Sequence, residues 1–256
     1  MVAVTRVIPF QLQEPFYRLL SGSLKHVGKV LQLVVRLPEV YAGPGCSLLL
    51  CDAVAGSGVK RLLLVTDAML VKLGLVEPLL QRLQAAGVEV TVYDGVKPDP
   101  AVEQCEEAFA VLQREGCEAV LAFGGGSVMD CSKVIAARAT NNKAIWDMTG
   151  FFKVGKTPLP VYCVPTTAGT GSEVSIGAVV SDPAQKRKLP IIDHKMVPRM
   201  AALDGRLMNV NWRNGQLYTA HAIESGNQSE SRWYHFDTAD WPGQSGNPPA
   251  PTLVES

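Results

Sequence analysis

Hydrophobic positions along this chain come in short unbroken runs, separated by longer stretches in which apolar residues recur every three or four positions. Lys60–Thr66 (KRLLLVT), Ala119–Phe123 (AVLAF) and Leu159–Val164 (LPVYCV) are runs of the first kind. Continuous apolar runs of this length fit strands buried on both faces of a parallel sheet. Val40–Leu50 reads as a strand, a Gly43-Pro44-Gly45 turn and a helix, and Glu89–Tyr93 as a further strand before a loop at Gly95–Pro100. Helices are expected over about 74–86, closing on Gly87, and over 101–115, ending at Gly116. After Ala119–Phe123 come Gly124, Gly125 and Gly126, and a helical pattern starts at Ser127 with Val128, Cys131, Ile135 and Ala139 on one face. Ser127 followed three residues on by Asp130 resembles a capping box. Residues 141–158 read as loop. Ala178–Ser181, the turn Asp182–Gln185 and Lys188–Ile192 read as a hairpin, and Ala201–Asp204 ends the sheet. Strands alternating with helices of this length predict βαβ units and an α/β fold with a mostly parallel sheet.

The two ends of the chain break this pattern. Residues 1–36 mix apolar and basic positions and read as a helical N-terminal extension. Beyond Met208 the chain turns polar and rich in Gly, Pro, Ser and Asn, with no period on which a core could grow, so 209–256 is expected to be an irregular tail.

Composition narrows the function classes. At 256 residues, 47% of them apolar and with zero formal net charge, the chain can build a core, and nothing in it points to nucleic acid or a membrane surface. Cysteines 46, 51, 105, 117, 131 and 163 lie in apolar or helical contexts without CxxC spacing, which fits reduced core thiols of a cytoplasmic protein.

Candidate chemistry gathers at two loops and one strand end. A glycine turn from strand to helix presents backbone N–H groups at the positive end of a helix dipole, an arrangement that binds phosphate. Asp67, at a strand end upstream, could accept from a ribose hydroxyl and repel a 2′-phosphate, favouring NAD over NADP, or could equally cap a helix. Pro165–Ser175 (PTTAGTGSEVS) carries Thr166, Thr167, Thr170 and Ser172 among glycines, a density of hydroxyls suited to a phosphate or ribose, or to an ordinary turn. Lys188 reads as a partner for phosphate or as a solvated strand residue.

GGGSVMDCSK at 124–133 and PTTAGTGSEVS at 165–175 resemble the two signature segments of the iron-containing (group III) alcohol dehydrogenases. TDAML at 66–70, Pro98 and KLPIID…VPRMAALDGRLM at 188–208 strengthen the resemblance, which covers about residues 36–208. It implies a Rossmann-like parallel sheet flanked by helices, the dehydroquinate-synthase-like N-terminal domain, over 37–208. It further implies an NAD-dependent, metal-dependent oxidation of a small alcohol, or reduction of an aldehyde, by hydride transfer, and leaves room for a homodimer. Carried over by position, Asp67 contacts the adenosine ribose and Gly125, Gly126 and Ser127 the pyrophosphate. Thr166, Thr167 and Ser172 lie along the phosphates and nicotinamide ribose, and Lys188 faces the cofactor.

The same resemblance implies a helical domain binding Fe2+ or Zn2+ through an Asp and three His, the first two in a helical DALTHAIE segment. Here His221-Ala222-Ile223-Glu224 reproduces HAIE, but Leu217 stands where the Asp belongs, and His221 is left as the one candidate metal ligand. The helical domain is therefore expected to be largely missing, through truncation or a shifted frame, and this chain alone to be inactive. A non-catalytic dinucleotide-binding module is the rival reading, and a glycerol-dehydrogenase-like enzyme a second, away from which TTAGTGSE points.

Overall fold

A computed structural model describes the backbone of residues 3–6, 37–207, 210–213, 216–225, 228–237 and 252–254, and the side chains of 37–207. The chain divides into two compact units, Met1–Asp204 and Gly205–Ser256.

The first unit is built on strands β1 (Ala3–Arg6), β2 (Glu39–Ala42), β3 (Arg61–Val65), β4 (Glu89–Tyr93), β5 (Ala119–Gly124), β7 (Val161–Pro165) and β10 (Met200–Leu203). They form one sheet in the order β1-β2-β10-β7-β5-β3-β4, parallel except for β1. Every residue of β5 and β7 is buried, which is why neither strand alternates in polarity. Ala201–Asp204 was expected to end the sheet; β10 instead inserts between β2 and β7, pairing with both. Ala3–Arg6, inside the expected helical extension, pairs antiparallel with the open edge of β2. The remainder of that extension lies outside the described residues.

Helices α1 (Cys46–Gly56), α2 (Ala68–Lys72) and α3 (Glu77–Ala85) follow β2 and β3, and α4 (Val102–Arg114) and α5 (Gly126–Thr140) follow β4 and β5. The helix expected over 74–86 is α3, and α2 is an additional short helix before it, separated from it by Gly74, which takes a left-handed φ of 70°. α1 packs on α3 and α4 packs on α5. Arg138 of α5 stacks 4.5 Å over the Phe109 ring of α4 and reaches Glu106 at 3.1 Å. From Cys131 to Ala137 every residue of α5 is buried, since the sheet, α4 and a smaller sheet enclose it. That smaller sheet, β6-β9-β8, joins β6 (Gly150–Phe151), found inside the expected loop, to the expected hairpin of β8 (Gly177–Asp182) and β9 (Arg187–Ile192).

The second unit differs from the expected irregular tail. Strands β11 (Val210–Arg213), β12 (Gln216–Ser225), β13 (Gln228–Asp237) and β14 (Thr252–Val254) form an antiparallel sheet in that order. Tyr218, Thr219, Ile223, Trp233, Tyr234 and Phe236 carry strand propensity, and a Gly226-Asn227 dipeptide between two such runs is a hairpin signal in the sequence.

Candidate functional site: a cleft at the strand ends

β3 and β5 are neighbours in the sheet, yet the helices that follow them leave in opposite directions: α2 and α3 lead out to β4, while α5 leads back to β7. At such a reversal the loops splay apart and open a crevice beyond the carboxyl ends of the strands. A cleft of about 650 Å³ lies here, and Asp67, Gly125, Gly126, Ser127, Thr166 and Thr167 all line it, together with Met69, Val96, Lys97 and Pro98. Six of the residues singled out from sequence therefore line one cleft.

The glycine turn owes its composition to close approaches. A Cβ on Gly124 would sit 2.6 Å from Val128 Cγ2, one on Gly125 3.2 Å from Thr167 Oγ1, and one on Gly126 3.1 Å from Thr170 Cγ2. The hydroxyl loop after β7 thus folds over the turn. α5 begins at Gly126 rather than Ser127, with Gly125 as N-cap and no capping side chain. The expected Ser127/Asp130 capping box does not form. Asp130 is drawn away: its Oδ1 accepts from Ser172 Oγ at 2.5 Å and its Oδ2 from Val179 N at 2.9 Å. An uncapped helix start leaves its first N–H groups and the positive end of the dipole available to an anion in the cleft.

Asp67 satisfies both readings of its sequence position. It caps α2, with Oδ1 alone accepting from Met69 N at 2.9 Å and Leu70 N at 3.0 Å, and it lines the cleft. Next to it, the fully buried Thr66 keeps an Oγ1 that no protein group bonds. Thr66 enters the sequence reading only as the first residue of TDAML, with no role of its own, because a threonine at a strand end is ordinary.

Two of the expected contacts go elsewhere. Ser172 is buried and its hydroxyl donates to Asp130. Lys188 pairs with the carboxylate of Asp99, a residue that sequence reasoning passed over. A second unrecognised residue is Lys133. It is fully buried, and its Nζ donates to Ser175 O (3.2 Å), Ser175 Oγ (3.1 Å) and Gly177 O (2.7 Å), fastening the far end of the hydroxyl loop to α5. Burial pushes its pKa down, while Cys163, Asp130 and Glu173 nearby pull it back up. Lysine three residues after Asp130 on a buried helix face is the signal that could have found it.

The six thiols are free and buried, and burial pushes Cys51 and Cys163 up to about 12. Such thiols are poor nucleophiles.

The family-type metal set does not fit the described residues. Among them no three His, Cys, Asp or Glu side chains converge. His194 Nδ1 lies 3.3 Å from Asp193, whose carboxylate already serves Val154 N and Lys195. His221 stands in β12, opposite Arg232, rather than in a helix. Positions 217 and 221 share a helix face about 6 Å apart but lie roughly 13 Å apart along a strand, so even an Asp at 217 would not meet His221 at one ion.

No helix among the described residues is long and apolar enough to cross a membrane. The family model for iron-containing alcohol dehydrogenases matches residues 38–205. The chain is 39% identical over 173 residues to the NAD-dependent methanol dehydrogenase of Bacillus methanolicus, covering 66% of this chain and 45% of that protein. It is 34% identical over 191 residues to the lactaldehyde reductase of Escherichia coli K12, covering 72% and 50% respectively. Among solved structures, a 1,3-propanediol oxidoreductase superposes with a TM-score of 0.65 at 34% identity, over 68% of this chain and 46% of that one. The NAD+ complex of sulfoacetaldehyde reductase from Bifidobacterium kashiwanohense does so with a TM-score of 0.61 at 30% identity, over 67% and 46%. The chain spans about half the length of the curated relatives it matches. On the family model, these relatives and the shared architecture, the chain belongs to the iron-containing alcohol dehydrogenase family.

Proposed function

We propose that this chain binds NAD in the cleft beyond β3 and β5, and that it is the cofactor-binding part of an NAD-dependent oxidoreductase acting on small alcohols or aldehydes. The observation that carries the reading is the convergence of an uncapped helix start, a strand-end carboxylate and two loop hydroxyls on one cleft. The amides at Gly126, Ser127 and Val128 and the Ser127 hydroxyl would hold the pyrophosphate, and Thr166 and Thr167 would bond the phosphates or ribose. Asp67 would accept from the adenosine ribose and repel a 2′-phosphate. When bound, the nicotinamide supplies the hydride acceptor of the family reaction. Relatives named for NAD, including the methanol dehydrogenase and the NAD+ complex, support the choice of cofactor. Six buried thiols, none in a disulfide, favour a reducing compartment and a cytoplasmic setting.

Binding without turnover by this chain alone is favoured by the misfit of the metal set. A catalytic metal needs about three protein ligands with one position open. Titration of the folded chain with NADH and NADPH tests the cofactor reading: saturable NADH binding is expected, and no saturable signal at millimolar NADH overturns it. NADH production from short primary alcohols with added iron(II) or zinc tests the rest. None is expected, and clear metal-dependent turnover would refute binding without catalysis.

A further inference from the structure

Asp99 lies in the Lys97-Pro98-Asp99-Pro100 segment and adopts a left-handed backbone, φ 58°, unusual for a residue other than glycine. Three attachments hold it there. Its N–H donates to Ser127 Oγ at 3.2 Å, and its carboxylate accepts from Lys188 Nζ and from Ser181 Oγ. Ser181 N in turn donates to Pro100 O at 2.9 Å, so the segment is stitched to β8 as well. Lys97, Pro98 and Ser127 line the cleft. The Asp99–Lys188 pair therefore stands one residue from the cleft wall, with side chains 52% and 60% exposed.

We propose that Asp99 is an internal counter-ion that retains Lys188 at the mouth of the cleft and thereby limits the cleft's affinity for anionic ligands, a role that rests on the dinucleotide reading above. In the ligand-free chain the Lys188 ammonium is matched by a carboxylate. An incoming pyrophosphate has to compete with that carboxylate for the cation and also meets its negative charge. The Asp99 N–H takes one lone pair of Ser127 Oγ, leaving the hydroxyl proton to donate into the cleft. Lys97 is the cation that lines the cleft itself, whereas Lys188 reaches it only through Asp99. The Lys188 and Ser181 bonds hold the Asp99 carboxyl below the usual carboxylate range, so the charge is present at neutral pH.

The test is calorimetric titration of NADH into the full chain, Asp99→Asn, Lys188→Gln and the double variant, at low and high salt. Asparagine tolerates the left-handed backbone and keeps the N–H to Ser127, removing only the charge. Asp99→Asn is expected to bind roughly two- to fivefold tighter, the size of an exposed ion pair, with the gain shrinking at high salt. The double variant, which loses one charge of each sign, should bind about as the parent does. A double variant that binds as tightly as Asp99→Asn overturns the proposal, as does no gain at all in Asp99→Asn. Should Asp99→Asn not fold, Lys188→Gln decides alone: it should weaken NADH binding by a similar factor by leaving Asp99 unneutralised, and unchanged affinity overturns the proposal. If the parent chain itself fails to bind NADH, the dinucleotide reading falls and this inference with it. If the parent binds and the variants match it, only the inference falls.

Discussion

Two loops leave the carboxyl ends of adjacent strands, and they use their polar groups in opposite ways. The turn from β5 into α5 has almost no side chains, and its helix start goes uncapped, so its amides face a cleft with no protein acceptor from a capping side chain. The loop after β7 is dense in hydroxyls, but it turns several of them inward. Ser172 donates to Asp130, Ser175 Oγ meets Lys133, and Thr170 Oγ1 accepts from Ser172 N at 3.4 Å. Only Thr166 and Thr167 of that loop reach the cleft. The number of hydroxyls in a segment says little about how many are free for a ligand; the Asp130 carboxylate and the buried Lys133 beneath the loop settle that.

Several substitutions would break or sharpen this contrast. The largest effect is expected at the turn, where Gly124→Ala places a Cβ 2.6 Å from Val128 Cγ2 and 2.9 Å from Val128 Cβ. Val128 is β-branched and stiff on a helix, so overpacking should cost about 1–3 kcal/mol in denaturant unfolding. A fully stable Gly124→Ala protein would show that the turn has room to spare.

Lys133→Met probes the other loop. It removes the ammonium donor to the Ser175 and Gly177 carbonyls, of which Gly177 O keeps only the longer bond from Ser175 Oγ, and should cost about 1–3 kcal/mol at neutral pH. The pH dependence follows from the direction of the shift. The folded pKa of Lys133 is lowered from 10.5, so between the two values the unfolded chain holds a proton that the folded chain has released. The unfolded state then binds more protons, and stability rises with pH across that window. The margin of the parent over Lys133→Met should therefore widen as pH climbs toward 10.5. The raised thiol Cys51 loses stability above pH 9 in both proteins and cancels in the difference. Cys163 is raised by burial but lowered by Lys133, so it does not cancel, and the comparison is read below pH 9.

Asp67→Asn separates the two jobs of one carboxylate. Asparagine caps as well as aspartate, so α2 should persist while the charge facing a 2′-phosphate disappears. The NADH-to-NADPH affinity ratio should fall about tenfold, near 1.4 kcal/mol. An unmoved ratio would leave Asp67 a cap only.

Much of the fold was legible because the central strands are buried on both faces and advertise themselves as unbroken apolar runs. Leu62–Val65, Ala119–Phe123 and Val161–Val164 are each almost solvent-free. The turn that lines the cleft was legible too, since a triple glycine between such a strand and a helix marks a close approach of backbone. Less visible were features decided by long-range partners. Asp130 looked like a cap because sequence shows only its neighbours, whereas its bonds go to Ser172 and Val179. Lys188 likewise shows no local sign of its partner Asp99, which lies 89 positions earlier. The insertion of β10 between β2 and β7 likewise depends on pairing that no local pattern encodes. In the second unit, composition outweighed strand propensity in the sequence reading, and the paired strands β12 and β13 show that polar residues between aromatic and β-branched ones still make a ladder.

The contrast between the loops is tested most directly by NADH titrations of Ser127→Ala and Ser172→Ala side by side. Ser127 faces the cleft, and its loss should weaken binding by about 0.5–1.5 kcal/mol, the worth of one hydrogen bond. Ser172 is bound to Asp130, and its loss should lower unfolding stability while leaving NADH affinity within about twofold of the parent. Equal losses of affinity in the two variants, or a larger one in Ser172→Ala, would contradict the account.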